Sequence, residues 1–230
     1  MKTLLDTATN ANMARRSFLR YAGVGAAAAT GVLAMASCSK HHDDVNLNNT
    51  IDIGTGDIGI LNYAYALEQL EAAFYLQVAL TPYSGITVQE TSLLTDIRDH
   101  EVGHREFFKA ALSANAIVGL TPDFSSIDFS NRTKVLAAAQ AFEDTGVSAY
   151  NGAGYLIQNV DYLLLAGKIV SVEARHAAYI RNLVSYGSFA DNTILDTNAM
   201  DKQQTIAQVL TIANTYLKTK VSASAFNYIP

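Results

Sequence analysis

Apolar side chains recur in steps of three and four through four long stretches of this chain, with helix breakers between them. That spacing puts them on one face of a helix. The first stretch runs from Asp57 or Ile58 to about Leu80, with Leu61, Ala64, Leu67, Phe74, Tyr75 and Val78 on its stripe. Asp57 reads as its N-cap, and Thr81-Pro82-Tyr83-Ser84-Gly85 as its stop. The second begins near Thr87, where Thr87-Val88-Gln89-Glu90 has the form of a capping box, and carries Leu94, Ile97, Phe108 and Leu112. A longer link with Gly119 and Pro122 follows, to Ser130. The third covers about Asn131 to the Tyr150–Gly154 region, with Leu136, Ala139 and Val147 on its stripe and glycines at 146, 152 and 154 blurring its end. The fourth covers roughly Tyr162 to Tyr186, with Ile169, Ile180 and Leu183 on one face and Gly187 as its stop. A last helix is expected between Asp201 and Lys218, its Ile206, Val209, Leu210 and Leu217 covering one end or side of the others. The pattern predicts an all-α fold: a four-helix bundle of two hairpins joined by a crossover, with an extra C-terminal helix.

Each apolar stripe also carries charge. Glu68 and Glu71 fall on the first, Glu101 and His104 on the second, Glu143 on the third, and Glu173 and His176 on the fourth. A carboxylate facing a core is costly unless it is paired or bound to metal. The second and fourth stripes share one motif, E-x-x-H, as Glu101-Val102-Gly103-His104 and Glu173-Ala174-Arg175-His176. Residues three apart lie on one helix face, so each pair aims a carboxylate and an imidazole at one point. Two such pairs, plus a Glu from each of two other helices, form the inward-facing site by which helical bundles hold two metal ions. The expected ligands are Glu68, Glu101, His104, Glu143, Glu173 and His176, with Glu71 as the alternative to Glu68. Glu68 lies more nearly level with Glu101 on an antiparallel helix, and a helix rises about 1.5 Å per residue, so level matters. Glu71, however, is spaced from Glu101 as Glu143 is from Glu173. Tyr75 follows Glu68 by the same interval as Tyr150 follows Glu143, and both tyrosines are candidates to hydrogen-bond ligand carboxylates. Carboxylate and imidazole donors suit iron or manganese, and zinc also accepts them. His100 falls off the stripe and is expected to face solvent.

Residues 1–38 read as a targeting segment rather than part of the fold. Arg15-Arg16-Ser17-Phe18-Leu19-Arg20 is a twin-arginine pattern, followed by an apolar Ala/Gly-rich run from Tyr21 to Ala36. A membrane-spanning helix needs about 20 apolar residues, so this run has the length of a signal-peptide core. It ends in Met35-Ala36-Ser37-Cys38, which resembles a bacterial lipobox, and Cys38 is the only cysteine. Export by the twin-arginine route, lipidation of Cys38 and anchoring to a bacterial envelope membrane facing the periplasm are the expectations. Residues 39–56 are polar and read as a flexible tether, 57–186 as the bundle, and 187–230 as an extension with one helix. His41-His42-Asp43-Asp44 reads as part of that charged spacer.

Composition removes other classes of function. With one cysteine there is no intramolecular disulfide and no zinc-thiolate site. The net charge of −5 gives no reason to expect nucleic acid. Neither a Gly-rich phosphate loop nor a G-x-S-x-G elbow occurs.

The segments LNYAYALEQLEAAFY (61–75), FEDTGVSAYNGAG (142–154) and VSVEARHAAYIRNLV (170–184) resemble the ferritin-like domain family of exported bacterial proteins, which includes plant desiccation-related proteins. The resemblance covers roughly residues 57–186 and implies a ferritin-like four-helix bundle with a site for two metal ions. Oxidases, peroxidases, manganese catalases and iron stores all use that fold, and a homo-oligomer is compatible with it. The leading expectation is an envelope-anchored di-metal oxidoreductase acting on dioxygen or peroxide in oxidative stress. The alternative is a non-catalytic protein that sequesters metal or serves a structural role there.

Overall fold

The computed structural model describes residues 45–46 and 50–226. The twin-arginine segment, Cys38 and most of the expected tether lie outside them. Among the described residues, four long helices form two antiparallel hairpins: α1 (Gly56–Leu80) with α2 (Val88–Leu112), and α3 (Arg132–Ala153) with α4 (Val160–Val184). A short helix, α5 (Ile206–Ala213), packs on α3 and α1. A small sheet has the order β1 (Val45–Asn46), β2 (Thr50–Asp52), β3 (Lys220–Ser222), with β2 and β3 parallel.

α1 is buried on nearly every side, while α2 and α4 keep exposed faces. Its composition fits that position, since it carries almost no charge beyond Asp57, Glu68 and Glu71. The crossover covers its outer face. Phe74 meets Phe124 and Phe129 of the crossover and Phe142 of α3 at ring-centre distances of 5.9, 5.8 and 4.9 Å. Two buried amides of α1 tie down the crossover backbone. Asn62 donates to the carbonyl of Asn115 and accepts from the Ile117 N–H, and Gln69 accepts from the Leu120 N–H. These bonds satisfy main-chain groups that helix-to-helix packing would otherwise leave unpaired.

The helix ends show where local chemistry sets the boundary. Thr87 and Glu90 form the reciprocal capping box, and Glu90 also takes Arg132 Nε at 2.7 Å, linking the two hairpins. Asp57 is not the N-cap of α1. It lies in the first turn, where its carboxylate accepts the Gln158 and Asn159 N–H groups, each at 2.8 Å, and so holds the α3–α4 turn. α4 stops at Val184, before Gly187, and the last helix begins only at Ile206, behind a Thr205–Gln208 capping box. Tether character does not extend to residues 50–53: Thr50–Asp52 is paired with β3, and Ile53 is buried in the core. Ile206, Val209, Leu210, Leu217 and Val221 join the same core, so the C-terminal segment is part of the domain.

α3 runs on through Gly146 and Gly152, and both sit close against neighbours. A Cβ on Gly152 would lie 1.8 Å from the carbonyl oxygen of Gln204, whose N–H also donates to Ser148. A Cβ on Gly146 would lie 3.0 Å from Oε1 of Glu71.

Candidate metal centre

Glu68, Glu101, Glu143 and Glu173 are each fully buried at mid-helix, one on each long helix, with His104 and His176 one turn beyond Glu101 and Glu173. The helical stripe explains the convergence: the four carboxylates occupy positions where a bundle normally places Leu or Ile. Their donor atoms fall into two groups, Glu68–Glu101–His104–Glu173 and Glu101–Glu143–Glu173–His176, within each of which the atoms lie within 4.8 Å of one another. Glu101 and Glu173, the two E-x-x-H glutamates, belong to both.

The two groups have the same internal plan. His104 Nδ1 lies 2.9 Å from Glu173 Oε1, 3.3 Å from Glu68 Oε2 and 3.8 Å from Glu101 Oε2. His176 Nδ1 lies 2.8 Å from Glu101 Oε1, 3.5 Å from Glu143 Oε2 and 3.8 Å from Glu173 Oε2. Each shared glutamate therefore turns one oxygen toward each histidine. The remaining oxygens of Glu68 and Glu143 are held from across the bundle: Tyr150 donates to Glu68 and Tyr75 to Glu143, both at 2.5 Å.

Eight buried atoms of this cluster make no hydrogen bond of acceptable geometry, although they crowd against one another: Glu68 Oε2, both oxygens of Glu101 and of Glu173, Glu143 Oε2, and Nδ1 of His104 and of His176. Buried polar atoms are almost always satisfied, and so many unpaired acceptors in one place fit a cation. The donor set is hard oxygen plus imidazole, four atoms per group, which could hold iron, manganese or zinc.

Protons compete for the same atoms. Burial alone would depress the histidines, but the close carboxylates of Glu101, Glu173 and Glu68 raise His104 to about 12, and those of Glu101 and Glu143 raise His176 to about 10. Burial pushes Glu68 up to about 7 and raises Glu143, with His176 and Tyr75 opposing it in the latter. Glu101 goes the other way: burial is overcome by His104 and His176, which bring it down to about 2. Glu173 is raised well above the carboxylate range by burial and then by the charges of Glu101 and Glu68.

Two residues stand just outside the two groups. Glu71 is buried against the centre, but the groups contain Glu68 and not Glu71. Burial, and then the charges of Glu173, Glu101, Glu143 and Glu68, raise its carboxyl well above the usual range. Gly146 leaves room for it. His100 is exposed, in line with its place off the stripe, yet its Nδ1 lies 2.9 Å from Nε2 of His176. The rings are nearly parallel, 9° apart, with centres 5.1 Å apart, so the bond runs edge to edge. A metal on Nδ1 of His176 leaves the proton on Nε2, which His100 then accepts. Stripe reasoning missed this contact, because a residue one step before a ligand points away from its own helix's core face; the neighbouring helix brings the partner to it.

The family model of the ferritin-like domain matches residues 56–186. That span takes in α1 to α4 and all the residues of the cluster. No curated protein matches the chain.

Proposed function

We propose that this chain, which belongs to the ferritin-like domain family, is a di-metal oxidoreductase of the bacterial envelope that reacts with dioxygen or peroxide. The observation that carries the reading is the set of eight unpaired inward atoms, divided four and four, with Glu101 and Glu173 serving both halves. Glu68 and His104 would hold one ion and Glu143 and His176 the other, with Glu101 and Glu173 available to both. Four carboxylates would balance two divalent ions. When bound, a pair of iron or manganese ions would supply two electrons, enough to reduce dioxygen to peroxide or to cleave the O–O bond of a peroxide. The chain's own part is to orient the donors, through Tyr75, Tyr150 and His100, and to keep water from the core of the bundle.

The proposal includes export through the twin-arginine segment and anchoring through Cys38. Among the described residues no helix is long and apolar enough to cross a membrane. Attachment by a lipid is supported by the lipobox-like run that ends at Cys38. Replacing Arg15 and Arg16 by lysine should hold the protein inside the cell, and Cys38→Ala should release it from the membrane fraction.

The central test is elemental analysis of protein exported in its own host, followed by stopped-flow mixing of the reduced protein with dioxygen and with hydrogen peroxide. Two iron or manganese ions per chain and a fast absorbance change support the reading. Bound metal without reaction would favour metal sequestration, and no metal would remove the proposal.

A further inference from the structure

Three apolar side chains stand together on the surface at the start of α4. Val160, Leu163 and Leu164 are 76, 44 and 59 % exposed. Positions three and four apart share a helix face, so all three point outward from the first two turns. Tyr155, in the short turn just before α4, is exposed, and so is Ile58 in the first turn of α1. Asp57 joins the two places through its bonds to the Gln158 and Asn159 N–H groups. The next exposed positions along α4 are Gly167, Lys168, Ser171 and Arg175, so a polar stretch follows at once. Lys168 stands one turn beyond Leu164, where its stem can lie along apolar surface while its ammonium stays in a polar layer.

The segment that leads to Cys38 enters at this end of the bundle. Just after β2, the carbonyl of Ile53 accepts from Asn62 Nδ2, which seats it beside the second turn of α1. Val45 of β1 pairs with Ile51 of β2. Val45 follows Cys38 by seven positions, a span of about 25 Å at full stretch. The end where Asp57 meets the α3–α4 turn is inside that reach. Apolar side chains are exposed at the other end too, at Leu80 and Val88, but Leu80 lies about 27 Å beyond Asn62 along the axis of α1. The point of entry therefore decides between the two ends.

We infer that the end formed by Ile58, Tyr155, Val160, Leu163 and Leu164 is a membrane-docking surface, which settles into the interfacial layer of the bilayer that anchors Cys38. The inference rests on the lipid-anchor reading above and adds a second contact, made by the folded domain itself. A lipid holds a protein near a bilayer without setting its orientation. An apolar face beside the point of attachment sets it. Tyrosine and lysine at the border of that face suit the headgroup layer, and two weak attachments combine into a stable one.

The test uses the protein as lipidated in its host, reconstituted in vesicles of phosphatidylethanolamine and phosphatidylglycerol. With Cys38 acylated, Leu164→Cys and Leu80→Cys each offer one free thiol for an environment-sensitive dye; Val160→Cys serves if Leu164→Cys does not fold. Lipids that carry a quencher just below the headgroup should remove most of the emission at position 164 and leave position 80 bright. Adding Leu163→Asp should restore the emission at 164, while the lipid keeps the protein in the membrane fraction. Equal quenching at both positions, or at neither, in protein whose mass shows the acyl chains overturns the inference and leaves the anchor reading standing. A dye at 164 that is already shielded without vesicles, in protein of doubled mass, shows that a second copy covers the face and overturns it as well. Protein with no acyl mass removes the anchor reading, and the docking surface falls with it.

Discussion

The hydroxyl of Tyr75 on α1 donates to Glu143 on α3, not to Glu68 on its own helix. The two residues of one helix are about 10 Å apart along the axis, at about 1.5 Å per residue, so the nearer carboxylate is the one across the bundle. Tyr150 returns the bond to Glu68. We predict that Tyr75→Phe weakens the ion held with Glu143 and His176, and that Tyr150→Phe weakens the one held with Glu68 and His104. Loss of a hydrogen-bond partner of a metal ligand costs about 10–100-fold in affinity. Metal titration of each variant should show one weakened and one unchanged equivalent; equal weakening of both would contradict the pairing.

Glu68 and Glu71 are both buried acids on one helix, but only Glu68 is in a ligand group. Glu68→Gln is predicted to lose one metal equivalent. Glu71→Gln, outside both groups, should keep both. Glu101→Gln should lower both equivalents together, because its two oxygens face different histidines. Elemental analysis of the three purified variants separates these outcomes.

His100→Ala removes the acceptor of the His176 N–H. The expected result is release of the ion beside His176 that is about 10–100-fold faster, by the same hydrogen-bond argument, with the ion beside His104 unaffected. His100→Asn, which retains an acceptor, should recover part of the loss. Chelator-competition kinetics would read both.

The metal-free protein should lose stability as pH rises from 5 to 8. Glu68 has a folded pKa of about 7, above its ordinary value of 4.5, so its bound proton stabilises the fold fully below pH 4.5 and that stabilisation is lost as pH rises through about 7. Glu71, Glu143 and Glu173 are raised in the same direction. His104 and His176, raised to about 12 and about 10 from 6.5, also contribute stability that is complete below pH 6.5 and declines as pH rises toward those values. Glu101 opposes them: its contribution is present above pH 4.5 and lost toward pH 2, outside this window. Calorimetry should therefore show a falling Tm from pH 5 to 8 without metal. The loaded protein should not show that fall, since the ions replace the protons. A flat metal-free profile would contradict the shifts.

Gly152→Ala should destabilise the fold without touching the cluster. Its methyl would meet the Gln204 backbone at 1.8 Å, and overpacking typically costs about 1–3 kcal/mol. Denaturant unfolding would register the loss, while metal content in the surviving folded fraction should be normal.

The four long helices were legible because each combines a strong stripe with local stop signals, as at Thr87–Glu90 and Pro82. The polar members of those stripes were legible for the same reason: a Glu among Leu and Ile positions needs an explanation. What the stripe could not convey is what lies opposite it. The cross-bundle choice of partner by Tyr75, the His100 contact and the space for Glu71 at Gly146 all depend on how helices pair. The sheet was not visible because its strands are only two or three residues long and join distant parts of the chain. Asp57 looked like a cap because it starts an apolar run, but it serves the backbone of another turn instead.

Set the two hairpins over one another in order, and Glu68 corresponds to Glu143, Tyr75 to Tyr150, and each E-x-x-H to the other. The same overlay puts Glu71 opposite Gly146, and His100 opposite Val172. The first of these pairs is in contact, with the Gly146 Cβ position 3.0 Å from the Glu71 carboxylate. Two copies of either hairpin could not reproduce that fit. One arrangement would press two acids together on the symmetry axis, and the other would leave a hole between two glycines. Near-symmetry thus suffices for the ligands but not for what surrounds them: the two hairpins must differ for an acid on one side to meet its vacant seat on the other.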